Sequence, residues 1–214
     1  MLFDENLTFE THINAVVRNC NFHLRNIYSV RKNLDTDSIK SLINAMVTSR
    51  IDYCCSLFLG LPNKQLKKLQ VVLNRAARLI FNLKPRESAT PSQILLHWLP
   101  IKARIEFKIC LLTYNVLKFK APSYLFELLL PYSNNSTMAL RTLDDEYRLQ
   151  EPRAIEEKHL HSRAFSYSAP RLYNKLPLAL KQIDLLDFFK KKLKAHTFTK
   201  AYDITEGIIS LDYR

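Results

Sequence analysis

NKQLKKLQVVLNRAARLI, residues 63–80, settles the local structure of this chain before any other stretch does. Leu66, Leu69, Leu73, Ala76 and Ile80 recur at alternating three- and four-residue steps. At about 100° per residue these five gather within roughly 80° of one helix face. Lys64, Lys67, Lys68, Arg75 and Arg78 gather within roughly 100° on the opposite face. One side of the predicted helix seeks a core, and the other carries dense positive charge.

The same period extends outward in both directions. Upstream, Ile13, Val16, Val17, Cys20, Leu24 and Ile27 share one face of a helix for which Thr11 is the expected N-cap. Arg18, Arg25 and Lys32 recur every seven residues on the other side. A second helix is expected to start at Asp35 or Asp37 and to bury Ile39, Leu42, Ile43 and Met46. It should run on to Gly60, where Gly-Leu-Pro stops it. Downstream, residues 85–91 break the pattern, and Thr90-Pro91 predicts the N-cap and first-turn proline of a short helix. Ile101, Ile105, Ile109, Leu112 and Val116 predict a longer helix ending before Ala121-Pro122. Trp98, the only tryptophan, is expected to anchor this corner in the core.

From Tyr132 to about Arg163 the periodicity fades, and irregular or short extended structure is expected. Asp184 then predicts the cap of a last helix that carries Leu186, Phe189 and Leu193, with Lys190, Lys191, Lys192 and Lys194 giving it a positive surface. The expected fold class is mainly α: a helical bundle, then a helical C-terminal region, with an irregular or short-β segment between them. The expected regions are residues 1–86, 87–131 and 132–214.

Composition restricts the chemistry. The 214 residues hold 2 glycines, which rules out a glycine-rich phosphate loop, a dinucleotide fingerprint and a nucleophile elbow. The 32 Lys+Arg against 20 Asp+Glu leave a net charge of +12, a balance that favours polyanions. Its distribution is sharper than its total: residues 11–34, 53–86 and 188–202 contain several Lys or Arg each and no Asp or Glu. The four cysteines, Cys20, Cys54, Cys55 and Cys110, lack metal-ligand spacing, so a reduced intracellular chain is expected. The first residues show no basic leader or apolar run, and no stretch reaches membrane-spanning length. A cytoplasmic or nuclear location, neither secreted nor transmembrane, is the corresponding expectation.

Several short blocks fall in a telling order: SRIDYC at 49–54, GLP at 60–62, LQ at 69–70, NRAARLI at 74–80, LHWLPI at 96–101, LLTY at 111–114 and APSYL at 121–125. This order resembles the segment that follows the polymerase core in reverse transcriptases of jockey-type and chicken-repeat-type LINE (non-LTR) retrotransposons. FDENLTFETHI at 3–13 resembles that family's passage from palm to thumb, and RAFSYSAPRLYNKLP at 163–177 with FFKKKLK at 188–194 resembles its distal signature. The resemblance thus covers most of the chain. Two positions depart from it: Tyr173 stands where relatives commonly have tryptophan, and Cys55 where they commonly have asparagine.

The resemblance implies a thumb-like helical region and a C-terminal region that help hold template and primer during target-primed reverse transcription. The catalytic carboxylates belong to the palm, and no matching palm motif occurs here. The chain by itself is therefore expected to lack polymerase activity and to need no cofactor, magnesium belonging to the full-length parent enzyme. The implied partners are RNA or an RNA–DNA duplex, and the palm domain of the parent polypeptide where present; no membrane partner is expected. Thr142-Leu143-Asp144-Asp145 resembles paired metal-binding aspartates. Two-metal chemistry, however, needs carboxylates converging on ions about 3.5–4 Å apart from rigid strands, and these two sit in loop-like sequence. A solvated acidic turn is the expectation.

The candidate nucleic-acid contacts are Arg18, Arg25, Lys32, Lys64, Lys67, Lys68, Arg75 and Arg78, because Lys and Arg neutralise backbone phosphates and release counterions. Lys190, Lys191, Lys192 and Lys194 form a weaker candidate group. Tyr53, Trp98, Tyr114 and Tyr124 could stack on bases, but each lies in or beside an apolar pattern and is expected in the core. His12, His23, His97, His159, His161 and His196 complete no zinc set and are expected to be structural or surface residues. The leading sequence-based expectation is a reverse transcriptase remnant that keeps backbone binding without catalysis. Its alternatives are a helical protein-interaction or structural module, whose leucine face packs on a partner chain, and a relic with no function.

Overall fold

Ile13, Cys20, Leu24 and Ile27 are buried along one side of the first helix, α1 (Glu10–Val30), in the computed structural model, which describes residues 1–132, 147–152 and 163–204. The helix begins one residue before Thr11, so that Phe9, at φ 54°, takes the cap position instead. The chain is turned into α1 by Asp4, whose carboxylate accepts the N–H groups of Thr8 and Phe9 at 2.7 Å each. Those hydrogen bonds, Thr8's first, hold the Asp4 carboxyl below its ordinary pKa. Val16 and Val17 lie only half-buried, at the margins of the core stripe.

The second helical segment starts where the aspartates predict and then departs from expectation. α2 (Thr36–Ile43) is capped by Asp35, which accepts the Ser38 N–H. It continues through a π-helical turn, Asn44–Thr48, into α3 (Ser49–Asp52). Ile39, Ile43, Val47 and Ile51 are all buried, a strict four-residue step. In a regular α-helix such a step drifts by about 40° each time; the wider i→i+5 turn absorbs the drift. Met46 is consequently turned to solvent and Leu42 is half-buried, contrary to the 3.6-residue pattern. The helix also ends at Asp52 and not at Gly60: Tyr53 turns extended and Cys54 adopts φ 54°. A 3-10 turn, Cys55–Phe58, then leads to Gly60 at φ 71°, a conformation glycine adopts without a Cβ clash.

The remaining helices are α4 (Asn63–Phe81), α5 (Thr90–Leu95), α6 (Ile101–Phe119), α7 (Ser123–Phe126), α8 (Phe165–Asn174), α9 (Leu178–Lys181) and α10 (Leu186–Tyr202). Ala89 holds the cap position of α5, with Thr90 its first helical residue and Pro91 in its first turn. The fold is mainly α, and the described residues include no sheet, only the isolated antiparallel bridge Pro131–Leu149. No helix among the described residues is long and apolar enough to cross a membrane. The chain divides into two compact units, Met1–Arg104 and Ile105–Arg214.

In the first unit α1 and α4 lie side by side. Lys68 reaches Glu10 and Asn14, Arg75 reaches Asn21, and Arg31 reaches the carbonyls of Leu79 and Ile80, so residue numbers rise together and the helices run parallel. The buried arc of α4 is wider than its leucine stripe, taking in Gln65, Val72, Ala77 and Leu79 as well. A polar lattice joins the quoted blocks. The Gln70 side chain accepts the Ile101 N–H at 2.9 Å, one of the donors that the start of α6 leaves without a helical partner. Asn74 accepts the amides of Gln70 and Gln93 at 2.8 and 2.7 Å. Arg104 Nη1 donates to Asp52 Oδ1 at 2.7 Å, tying the first turn of α6 to the end of α3.

In the second unit Phe189 and Leu193 of α10 are fully buried. The Phe189 ring stacks on Tyr114 of α6, 3.8 Å between centroids. The Tyr114 hydroxyl lies 2.8 Å from the carbonyls of both Ile183 and Asp184, and thus anchors the turn before α10. Leu185 holds the cap position, and the Asp184 carboxylate, expected to cap α10, pairs with Lys118 instead. The bridge at Pro131 leaves the N–H and C=O of Leu149 facing away from its partner strand. The Asn174 side chain takes both, at 2.9 Å each. Asn174→Ala orphans this buried donor and acceptor and is expected to cost about 2 kcal/mol, read as a lower urea midpoint of the helical circular dichroism. Asn174→Asp, which keeps an acceptor and loses the donor, should fall no nearer wild type than halfway.

Candidate nucleic-acid interface

The solvent side of α4 is built by elimination. Its apolar residues fill the buried arc, and Lys64, Lys67, Lys68, Arg75 and Arg78 fall in the remaining arc of about 100° together with Val71. On the adjacent, parallel α1 the spacing Asn14, Arg18, Asn21, Arg25, Tyr28 alternates four and three residues, which places them in a single stripe. Asn14 and Asn21 bind Lys68 and Arg75, so this stripe borders the one on α4. The two stripes form a continuous basic strip along two parallel helices.

The eight candidates divide within that strip. Arg18, Arg25, Lys32, Lys64 and Lys67 are exposed, and among the described residues none of them forms an ion pair. Lys68 is half-buried and pairs with Glu10 at 3.2 Å. The Glu10 carboxyl is held below its ordinary pKa by hydrogen bonds from Gln65 first and Lys68 second. Arg75, though exposed, is held at 3.0 Å by the amide oxygen of Asn21, a neutral partner that leaves its charge intact. Arg78 donates to the Glu87 carbonyl at 2.8 Å and fastens the loop after α4. Lys32 lies in the 3-10 turn Arg31–Asn33, past the end of α1 and off its stripe.

Four participants were not anticipated. Arg31 caps the C-terminal carbonyls of α4, where a cation is favoured by the helix dipole. Asn14 and Asn21 set the spacing between the stripes, and Tyr28 is 69% exposed at the end of the α1 stripe. The four-three spacing with Arg18 and Arg25 was the available signal. Of the four aromatics expected in the core, Trp98 and Tyr114 are there, whereas Tyr53 and Tyr124 are 59% and 67% exposed. Tyr53 follows the early end of α3, and Tyr124 sits in the single-turn α7, so neither has a helix face opposite to pack against.

The lysine group of α10 belongs to the second unit. Lys190, Lys191 and Lys192 are exposed and Lys194 is half-buried; the Lys192 ammonium lies 5.5 Å from the Phe188 ring centroid. Among the described residues no cluster of His, Cys, Asp and Glu could hold a metal ion. His12 is buried, which lowers its pKa, while His23, His97 and His196 are half-buried; His159, His161 and Thr142–Asp145 lie outside the described residues. None of the four cysteines is in a disulfide, and burial pushes the Cys20 and Cys110 thiols up to about 11 and about 12, the range of inert packing residues. Leu66, Leu69 and Leu73 are buried within the chain, so the leucine face that a partner-binding helix would need is already used.

Comparison with models of known protein families, with curated proteins and with solved structures returned no match.

Proposed function

We propose that this chain is the thumb-like and C-terminal part of a LINE-type reverse transcriptase, without the catalytic palm, and that it binds the backbone of RNA or an RNA–DNA duplex. The observation that carries the binding reading is the strip on α1 and α4: exposed cations on parallel helices, with Glu10 the one carboxylate paired into it among the described residues. Such a strip offers point charges to a row of phosphates and no groove-reading geometry, which gives sequence-tolerant, salt-dependent binding. The family reading rests on the order of the sequence blocks quoted above. Four of these blocks supply Asp52, Gln70, Asn74 and Ile101 to the polar lattice, which gives them a common physical role in one bundle.

The test is duplex binding across ionic strength, with Arg18, Arg25, Lys64 and Lys67 replaced by Ala. These four are better choices than Lys68, Arg75 and Arg78, whose removal also unties α1 or the loop after α4. Affinity insensitive to both salt and the four substitutions would remove the reading. Catalysis is assigned to the parent enzyme's palm, with its magnesium. Primer extension on an RNA template with magnesium and deoxynucleotides is accordingly expected to stay at the level of buffer, and incorporation above it would overturn that assignment.

A further inference from the structure

Between α1 and α4 the basic strip opens into a groove of about 500 Å³ lined by Asn21, Leu24, Arg25, Tyr28, Arg75 and Leu79. That volume lies in the range of about 300–1,000 Å³ that receives small organic groups. Leu24 and Leu79 are buried and give it an apolar floor; the guanidinium side chains of Arg25 and Arg75 are exposed at its walls. Tyr28 stands one helical turn beyond Arg25 with most of its ring open to solvent. Arg31, bound to the Leu79 and Ile80 carbonyls, adds a third guanidinium beside it. No carboxylate lines the groove, and the two acid-free stretches, residues 11–34 and 53–86, supply all of its walls.

A uniform basic surface would suffice for duplex phosphates. An open aromatic ring next to guanidinium groups above an apolar floor matches a different ligand, an unpaired base joined to its phosphates, because the ring takes the base face and the cations take the backbone. Bases within a duplex are already stacked on each other and present no such face. We propose that this groove is a single-strand subsite, in which one unpaired nucleotide stacks on Tyr28 while its flanking phosphates meet Arg25 and Arg75. This rests on the nucleic-acid reading above and narrows it to unpaired RNA or DNA at one end of the strip.

The experiment compares an oligothymidylate of about ten nucleotides with a strand of equal length made of abasic sites, by fluorescence anisotropy, on the full chain and its Tyr28→Ala and Tyr28→Phe variants. The two strands carry the same phosphates, so their difference isolates the bases. Tyr28→Ala should weaken oligothymidylate binding by about tenfold and leave the abasic strand unchanged, while Tyr28→Phe, which keeps the ring, should bind like wild type. The proposal is overturned if Tyr28→Ala leaves oligothymidylate affinity unchanged, if Tyr28→Phe loses as much as Tyr28→Ala, or if wild type holds both strands equally. Failure of the underlying nucleic-acid reading has a separate signature: neither strand then shows salt-dependent binding to any of the three proteins.

Discussion

Raising the salt from about 50 to about 200 mM should weaken RNA–DNA duplex binding by roughly 500-fold. The figure follows from the five candidate cations on α1 and α4 that are exposed and outside any ion pair among the described residues: Arg18, Arg25, Lys64, Lys67 and Arg75. Each phosphate neutralised contributes about 0.9 to the slope of log affinity against log salt, so five contacts give a slope near −4.5. The geometry allows that number. From Lys64 to Arg75 is eleven residues of helix, or about 17 Å, and each strand of a duplex carries about one phosphate per roughly 3.4 Å of duplex axis, so that length spans about five of them. Replacing Arg18, Arg25, Lys64 and Lys67 by Ala should flatten the slope by nearly one unit for each cation removed. What remains measures Arg75, Lys32, Arg78 and the lysines of α10. A wild-type slope shallower than about −2, or a four-alanine slope equal to wild type, would place the polyanion contact elsewhere on the chain.

The same charges have a second role that composition hides. Lys68 and Arg75 project from the α4 solvent arc, yet they reach across to Glu10, Asn14 and Asn21 and hold α1 alongside. A basic stripe next to another helix is therefore partly a seam. Lys68 spends its charge on Glu10, while Arg75 meets an amide and stays available to a phosphate. This distinction decides which cations can be removed without disturbing the bundle.

How much of this was legible in advance depends on what each element needs. α4 was readable because its apolar residues keep a 3.6-residue period over five turns, and burial follows period there. α6 was readable as a helix, but Leu112 on its predicted face is half-buried while Arg104, Phe107, Cys110, Thr113 and Tyr114 are buried on its other sides. The run from Ile39 to Ile51 misled for one reason: a π turn changes the period within it, and no residue type announces such a turn. Thr11, Thr90 and Asp184 were sensible caps by composition, but the cap positions fall two residues earlier at Phe9, one earlier at Ala89 and one later at Leu185; Asp4 takes the N–H groups before α1, and Lys118 takes the Asp184 carboxylate. The basic strip was visible as two separate stripes. That they border each other depends on the parallel packing of α1 and α4, a tertiary fact carried by Asn14 and Asn21, whose short amides look unremarkable in one dimension.

Asp52→Ala should destabilise the first unit by about 3 kcal/mol, a loss disproportionate to one exposed-looking aspartate. The Arg104 guanidinium that it partners is nearly buried, its side chain 10% exposed against 29% for Asp52. Arg104 also lies within 3.5 Å of the Leu99 carbonyl, which is too weak a contact to replace a carboxylate at 2.7 Å. Removing Asp52 thus strands a cation in the interior, whereas removing Arg104 leaves an acid that water can still reach. Arg104→Met, which keeps the apolar stem, should cost only about 1 kcal/mol. The double variant should sit closer to Arg104→Met than to the sum of the two, since the stranded charge is gone. Urea unfolding followed by the fluorescence of Trp98, which reports on this unit alone, measures all three. Equal losses for the two single variants would mean that the pair is screened at the surface and that the end of α3 and the first turn of α6 are joined by packing without it.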